Sequence, residues 1–527
     1  MIEAPELAAH RAPAPALHLP VRRRPARVLL LLAVLAVAAC GFAYELTLVT
    51  LGTYLIGSSL VQVSVVLAAF VSSMGLGSLL AKPLLRRPVV AFIAVESAVA
   101  LLGGTSGLVL FAAFAWLDLF QGATIAMAAA IGTLVGCEIP LLLSLMQRVR
   151  RQEASESVAD LLAADYLGAV LAGLALPFMI VPLLGQIEGA IAVGAVNALA
   201  GLLVLWLFAR SLPARTAFAL LGVGVAVLVV LGAAAAAAGR FEVSARQVLY
   251  EDPIVHAQRT PYQEVVMTRA PATDDLRLFL NGDLQFSSID EYRYHEALVH
   301  PALAGPRESV LVLGGGDGLA LREILRYPDV RRVVLVELDP RIVELGREDE
   351  RLRRLNEDAL ADPRVEVLSA DAFSWLRTGP RERFDAAVLD FPDPDDAALA
   401  KLYSVEMYAL VGRALRPGGR AIVQAGSPYF APEAFWSIRA SVEAAGLATR
   451  VFHVDVPSFG NWGYVLAQAG RTPDLALDPP RPLRSLDRRT LAAASVFPPD
   501  RGPLPVKPST LNRPEIVEYV RRGWLGY

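Results

Sequence analysis

Seven stretches of this chain run for about twenty residues or more with almost no charge, at about 28–48, 56–80, 89–115, 120–146, 161–184, 188–209 and 216–239. Roughly 20 apolar residues is what a helix needs to cross a bilayer core of about 30 Å. The first half of the chain is therefore expected to be a multi-pass α-helical membrane bundle of seven spans. The first stretch sits where a signal peptide would, but no small-residue cleavage site follows it and six more apolar segments do, so it is expected to stay attached.

Basic residues punctuate these stretches. Arg22, Arg23, Arg24 and Arg27 precede the first, Lys82, Arg86 and Arg87 follow the second, Arg148, Arg150 and Arg151 follow the fourth, and Arg210 and Arg215 follow the sixth. The positive-inside rule then puts the N-terminus of this cell (inner) membrane protein in the cytoplasm; seven crossings put everything beyond Gly239 outside, one fewer puts it inside, and the side of the second half stays open. Glu45, Glu96, Glu138, Asp165 and Asn197 fall within the spans or at their ends. Helix–helix hydrogen bonding is the ordinary reading of such groups, and a cation pathway or binding site inside the bundle is the functional one.

From about residue 250 the pattern changes, as it must in a chain of 527 residues that is 54% hydrophobic yet 19% charged. "VMTRAPATDDLRLFLNGDLQFSS" reads as short strands turning at Asp274 and at Asn281-Gly282, a pair favoured in two-residue hairpins. Strand-like runs then alternate with helical ones: "SVLVLGGGDG", "RRVVLVELD", "RVEVLSAD", "FDAAVLD" and "GRAIVQAG". That order is the pattern of a doubly wound parallel sheet. The tail from about 470 is rich in proline and arginine and reads as largely irregular, with a short helix near "PEIVEYVRRGWL". A formal net charge of -3 without a dense basic face excludes a nucleic-acid partner. Two cysteines inside apolar runs, Cys40 and Cys137, support neither a disulfide framework nor a cysteine metal site.

The strand ends carry the chemistry. Gly314 and Gly316 follow an apolar strand and allow a tight turn with close approach of a ligand to backbone N–H groups. Glu337 ends the next strand, 23 positions after Gly314, where an acid can hold both hydroxyls of a ribose. Asp371 and the backbone of Ala372 follow the third and can reach an adenine edge. A nucleoside ligand is expected. Asp317 inside the glycine turn would repel the carboxylate of S-adenosylmethionine, whereas decarboxylated S-adenosylmethionine carries only a cationic arm there. Asp317 also reads as a helix N-cap, which is compatible. Asp390 and Asp393 of "VLDFPDP" would alone read as a strand-end loop of Asp and Pro.

Taken in order, "YQEV" at 262, "LNGDLQFSSIDEYRYHEALVHPAL" at 280, "GGGDGLALREILRYPDV" at 314, "VELD" at 336, "SADAF" at 369 and "DFPDP" at 390 resemble the spermidine synthase family of polyamine aminopropyltransferases, over about Tyr262 to Leu466. "FPDP", "KLYS", "VPSFGNWGY" and the apolar spans look like its membrane-attached bacterial branch. The resemblance implies transfer of an aminopropyl group from decarboxylated S-adenosylmethionine, a co-substrate, to putrescine or a related diamine, with no cofactor and no metal. It assigns Asp390 as general base, Gln263, Glu337, Asp371 and Ala372 to the donor, His295 and Asp317 to the amine groups, and Tyr294, Gln285 and Asp393 to the amine channel. The chain departs from the family on the acceptor side, reading "DPDDAALAKLYS" after the paired aspartates and Phe459 where a tyrosine is usual.

The expected organisation is a basic N-terminus over 1–27, the seven-helix domain over 28–240, a small β subdomain over 241–305, a Rossmann-like methyltransferase-type catalytic domain over 306–470 and an extension over 471–527. Partners are the two small substrates and the lipid membrane, with a homo-oligomer left open. A polyamine transporter or sensor whose soluble domain binds without turnover is the alternative, and methyl transfer a weaker third.

Overall fold

The computed structural model describes residues 20, 23–56, 60–117, 119–149, 154–380 and 382–524. Arg22, Arg150, Arg151 and most of the expected N-terminal segment over 1–27 lie outside the described residues. The chain divides into two compact units, Met1–Leu249 and Tyr250–Tyr527.

The first unit is helical: α1 (Arg23–Ile56), α2 (Leu60–Leu84), α3 (Pro88–Ala112), α4 (Phe120–Val149), α5 (Ala154–Ala175), α6 (Val181–Phe208) and α7 (Ala214–Val248). Small residues let these helices close on one another. A Cβ on Gly132 or Gly136 of α4 would stand 2.5 Å from the Phe70 carbonyl oxygen or 2.0 Å from that of Met74, so α2 lies directly against α4. Glycines four apart are how helices pack where no hydrophobic effect drives them together. Large apolar side chains face outward instead, with Phe178 79%, Leu183 76% and Phe218 73% exposed. A surface of that kind suits a lipid solvent.

Among the described residues, six helices of this unit, not seven, are long and apolar enough to cross a membrane, by length and composition. The sequence reading separates a fifth and a sixth span between 184 and 188, but Val158–Ser211 runs as one 54-residue stretch. It passes from α5 through a π-helical turn at Leu176–Ile180 into α6, and the helical dihedrals fail at one point, Gly185, with φ 78° and ψ -174°.

The second unit opens with a four-stranded antiparallel sheet in the order β1 (Ile254–Arg259), β2 (Glu264–Arg269), β3 (Leu276–Leu280) and β4 (Asp283–Ser287). Asn281 and Gly282 form the two-residue turn between β3 and β4, both at positive φ, as a right-twisted hairpin requires. Helix α8 (Glu291–Leu303) leads to β5 (Ser309–Gly314), α9 (Leu319–Leu325), β6 (Arg332–Glu337), α10 (Pro340–Glu348), α11 (Glu350–Asn356), β7 (Val365–Ser369), α12 (Ala372–Thr378) and β8 (Phe384–Asp390). Then follow α13 (Ala397–Ala400), α14 (Val405–Ala414), β9 (Leu415–Gln424), α15 (Pro432–Ala444), β10 (Leu447–Val456) and β11 (Gly460–Ala469).

These strands make a seven-stranded sheet ordered β10-β11-β9-β8-β5-β6-β7. Neighbours from β9 through β7 are parallel, and β10 and β11 add an antiparallel edge. Strands β5 and β8 carry residues that are buried on both faces, because helices cover the sheet on each side. The chain leaves β5 toward β6 on one side and returns to β8 on the other, so the sheet reverses its winding between them. Ligands bind at such a reversal, outside the carboxyl ends of the strands.

The Pro/Arg-rich tail is largely irregular and holds a helix near "PEIVEYVRRGWL", as the sequence reads, yet it is packed down along its length. It carries α16 (Arg488–Ala494) and α17 (Glu515–Trp524), and Leu477, Leu486, Leu491, Ile516 and Val520 are buried in the core of this unit. Proline and arginine hid a sparse set of apolar anchors spaced too irregularly to show a period.

Candidate active site

Gly314 of β5 lies in register with Asp390 of β8, at the reversal point. The turn after β5 can be made only of glycine. A Cβ on Gly314 would stand 2.1 Å from the Asp390 carbonyl oxygen, at a φ of +80°. On Gly315 it would be 3.0 Å from Asp390 Oδ2, and on Gly316 2.9 Å from Glu337 Oε2. The turn thus runs past two carboxylates: Glu337 Oε2 accepts from the Gly316 N–H at 3.2 Å, and the Asp390 carboxylate lies where a side chain on Gly315 would go.

A cavity of about 520 Å³ opens above it, and all twelve residues singled out from the sequence line this one cavity: Gln263, Gln285, Tyr294, His295, Gly314, Gly316, Asp317, Glu337, Asp371, Ala372, Asp390 and Asp393.

On one side, Glu337 accepts from the backbone N–H of Asp339 at 3.0 Å and of Gly316 at 3.2 Å, and burial pushes its carboxyl up to about 7 against those bonds. Gln263 is aimed by Asp339, to which its Nε2 donates at 3.1 Å. Asp371 caps α12, accepting from Ser374 N at 2.8 Å, and pairs with Lys401 Nζ at 2.6 Å. Burial pushes the Asp371 carboxyl up, but Lys401 and Ser374 outweigh it and hold it below its ordinary value.

On the other side, Asp390 Oδ1 accepts from the Tyr294 hydroxyl at 2.6 Å. Burial raises the Asp390 carboxyl, while His295 and Tyr294 pull it back. Asp317 accepts from Leu319 N at 2.8 Å, but the N-cap of α9 is Gly318, so Asp317 stands one residue ahead of the cap position expected for it; burial pushes its carboxyl up to about 6 against the pull of His295. Asp393 accepts from Gln424 Nε2 at 3.2 Å and is likewise raised to about 6 by burial. Gln424 also donates to the Phe391 carbonyl at 2.6 Å, and Tyr403 to that of Pro392 at 2.9 Å, so the proline turn is pinned from behind.

His295 enters on α8 with its Nδ1–H donating to Glu291 Oε2 at 2.8 Å. Arg322 grips the same carboxylate with both guanidinium nitrogens at 2.9 Å. Burial pushes the His295 imidazole down, but Glu291 outweighs it and holds the ring above its ordinary value. An imidazolium here favours the charged forms of Asp317 and Asp390, which it faces electrostatically.

Two acids went unnoticed in the sequence. Asp283 and Asp395 line the cavity near Asp393; each keeps an exposed face, and partial desolvation lifts both to about 6, with Asp393 adding repulsion at Asp283, and Asp283 and Asp396 adding it at Asp395. Asp283 follows the Asn-Gly turn and Asp395 the proline turn, where an acid ordinarily signals a solvated loop. Lys401, Gln424, Trp462 and Trp524 were also missed; only "KLYS" and "GNWGY" held a signal. No group of three His, Cys, Asp or Glu able to hold a metal occurs among the described residues.

Residues 291–478 match the model of the spermine/spermidine synthase domain. Polyamine aminopropyltransferase 1 of Streptomyces coelicolor is 55% identical over 511 residues, covering 96% of this chain and 96% of that one. The chain belongs to the polyamine aminopropyltransferase family. The polyamine aminopropyltransferase of Mycobacterium tuberculosis is 47% identical over 512 residues, 94% of this chain and 97% of that one. A crystal structure of spermidine synthase with the transition-state analogue AdoDATO is 25% identical, covers 46% of this chain and 85% of that one, and aligns with a TM-score of 0.43. These two members of the family extend over both units of the present chain, so the helical half is part of what they share.

Proposed function

We propose that this aminopropyltransferase moves the aminopropyl group of decarboxylated S-adenosylmethionine to putrescine or a related amine, giving spermidine and methylthioadenosine. Glu337, with Gln263 and the 371–372 turn, holds the nucleoside. The acceptor nitrogen gives up a proton to Asp390 and its lone pair attacks the propyl carbon bonded to sulfur. The carbon–sulfur bond breaks, its electrons stay on sulfur, and the sulfonium leaves as a neutral thioether. A sulfonium is already a good leaving group, so alignment and proton removal are what the protein supplies.

The observation that carries this reading is the glycine turn running past Asp390 Oδ2 and Glu337 Oε2. It sets the base and the nucleoside acid beside consecutive residues of one turn, close enough together for a single donor to reach both. The acids Asp317, Asp393, Asp283 and Asp395 supply counter-charge for a donor and an acceptor that are both cations.

Purified full-length protein given decarboxylated S-adenosylmethionine and putrescine is expected to release methylthioadenosine; silence with each of several diamines would sink the assignment. The same assay reads a pH dependence. The raised carboxyls take up protons as pH falls through about 7 for Glu337 and about 6 for Asp317 and Asp393. Protonating Glu337 removes an acceptor for the ribose hydroxyls and protonating Asp317 or Asp393 removes a counter-charge for the amines, so kcat/KM is expected to begin falling near pH 7 and to fall steeply below about pH 6. A profile that stays flat to pH 5 speaks against these acids as the amine site.

We further infer that the helical unit crosses the membrane seven times. A straight 54-residue helix would be about 80 Å long, more than twice a bilayer core, and the break at Gly185 divides it into two pieces of spanning length. With a cytoplasmic N-terminus this puts the catalytic unit on the outer side. A C-terminal alkaline phosphatase fusion is expected to be active and a C-terminal green fluorescent protein fusion dark; the reverse pattern means six crossings.

A further inference from the structure

Four helices of the bundle enclose polar atoms that the transfer chemistry does not use. Glu96 on α3 is 1% exposed and Glu138 on α4 is 4% exposed. Among the described residues, no hydrogen bond of good geometry reaches Oε1 of Glu138 or the Glu96 carboxylate, and the Asn197 side chain is the one polar group close enough to the Glu96 carboxylate to act on it as a hydrogen-bond donor. The Tyr44 hydroxyl on α1 and Asn197 Oδ1 on α6 are as deeply buried and also unpaired.

These groups share one neighbourhood. Asn197 Nδ2 donates to the Glu96 backbone carbonyl at 3.2 Å. Gly201, one turn beyond Asn197, brings α6 so near that a Cβ there would lie 3.1 Å from the Glu96 Cβ. Glu96 and Glu138 act electrostatically on each other and on Tyr44 and Cys40, and Asp165 of α5 and Cys137 act on Glu138. Among the described residues, the groups that act on one another here are Cys40, Tyr44, Glu96, Cys137, Glu138, Asp165 and Asn197, from α1, α3, α4, α5 and α6, and none of these is basic.

A carboxylate within an apolar bundle is costly unless a counter-charge meets it. The unpaired atoms are all oxygens, the donors a hard ion prefers over a soft one. We propose that Glu96 and Glu138, with Asn197 and Tyr44, form a buried binding site for a small monovalent cation inside the membrane bundle. The chemistry is shared by an alkali-metal ion and a proton. Neither carboxylate lines the reaction cavity, so the site stands or falls apart from aminopropyl transfer.

The test is thermal unfolding of the full-length protein in lipid nanodiscs, followed by circular dichroism of the helical signal. Sodium is exchanged for choline at constant ionic strength, and pH is varied separately. An alkali-metal site gives a saturable rise of roughly 5–10 °C with sodium, abolished in the Glu96→Gln/Glu138→Gln double variant. A proton site gives no sodium response but a pH-dependent melting temperature that the double variant loses. Identical responses of wild type and double variant to both ions overturn the proposal. Should the double variant not fold, equilibrium binding of radioactive sodium to the wild type and the wild-type pH dependence decide it: neither a saturable, proton-competed site nor any pH dependence of melting overturns it equally.

Discussion

Replacing Asp390 with asparagine is expected to lower kcat by about 10²–10⁴-fold, the range a positioned general base contributes, while donor binding stays near wild type. Asparagine keeps the shape and can still accept from the Tyr294 hydroxyl, which bonds Oδ1 at 2.6 Å. What it cannot do is take a proton. The neighbouring acids do not replace it, because Asp393 is tied to Gln424 and Asp317 to the start of α9. Single-turnover rates with saturating amine, beside calorimetric binding of methylthioadenosine, separate the two effects. A kcat within tenfold of wild type would remove Asp390 from the base role. A loss of methylthioadenosine binding as large as the loss of rate would make it a structural residue.

The second large effect is expected at Gly314→Ala. The position sits at φ +80°, and the new Cβ would stand 2.1 Å from the Asp390 carbonyl oxygen. A left-handed conformation costs an L-residue about 1–2 kcal/mol, and overpacking against backbone that cannot swing aside adds about 1–3 kcal/mol. The strand carrying Asp390 must move, and a misplacement of about 1 Å at a reacting centre costs on the order of 10²-fold in rate. The expected result is a melting temperature of the catalytic unit lower by roughly 5–15 °C, with a rate loss that persists at temperatures where the variant is folded. Wild-type melting and wild-type turnover together would mean that the turn is not held against β8 as described.

The strands of the catalytic unit were readable because burial on both faces makes them continuous apolar runs that stop abruptly. Val310–Leu313, Val333–Val336 and Ala386–Leu389 are all buried, and each run ends on Gly314, Glu337 or Asp390. The strand ends therefore named the cavity floor. Its walls were not readable by the same means. Asp283 and Asp395 look like solvated turn acids until the fold sets them side by side, and the Arg322–Glu291–His295 chain joins residues 31 positions apart in sequence. The break at Gly185 was invisible for a different reason. Glycine is common inside membrane helices, and only the backbone dihedrals distinguish one that packs from one that bends.

Helix α17 closes the cavity with Val520 and Trp524, and the Trp524 indole stacks on Phe430 with centroids 5.1 Å apart. The cavity wall thus draws on Gln263 near the start of the second unit and on Trp524 at the C-terminal end of the described chain. A ribosome delivers these two walls at opposite ends of the synthesis of this unit. The acidic cavity is therefore complete only after Trp524 has been made, and a chain cut before α17 lacks that wall.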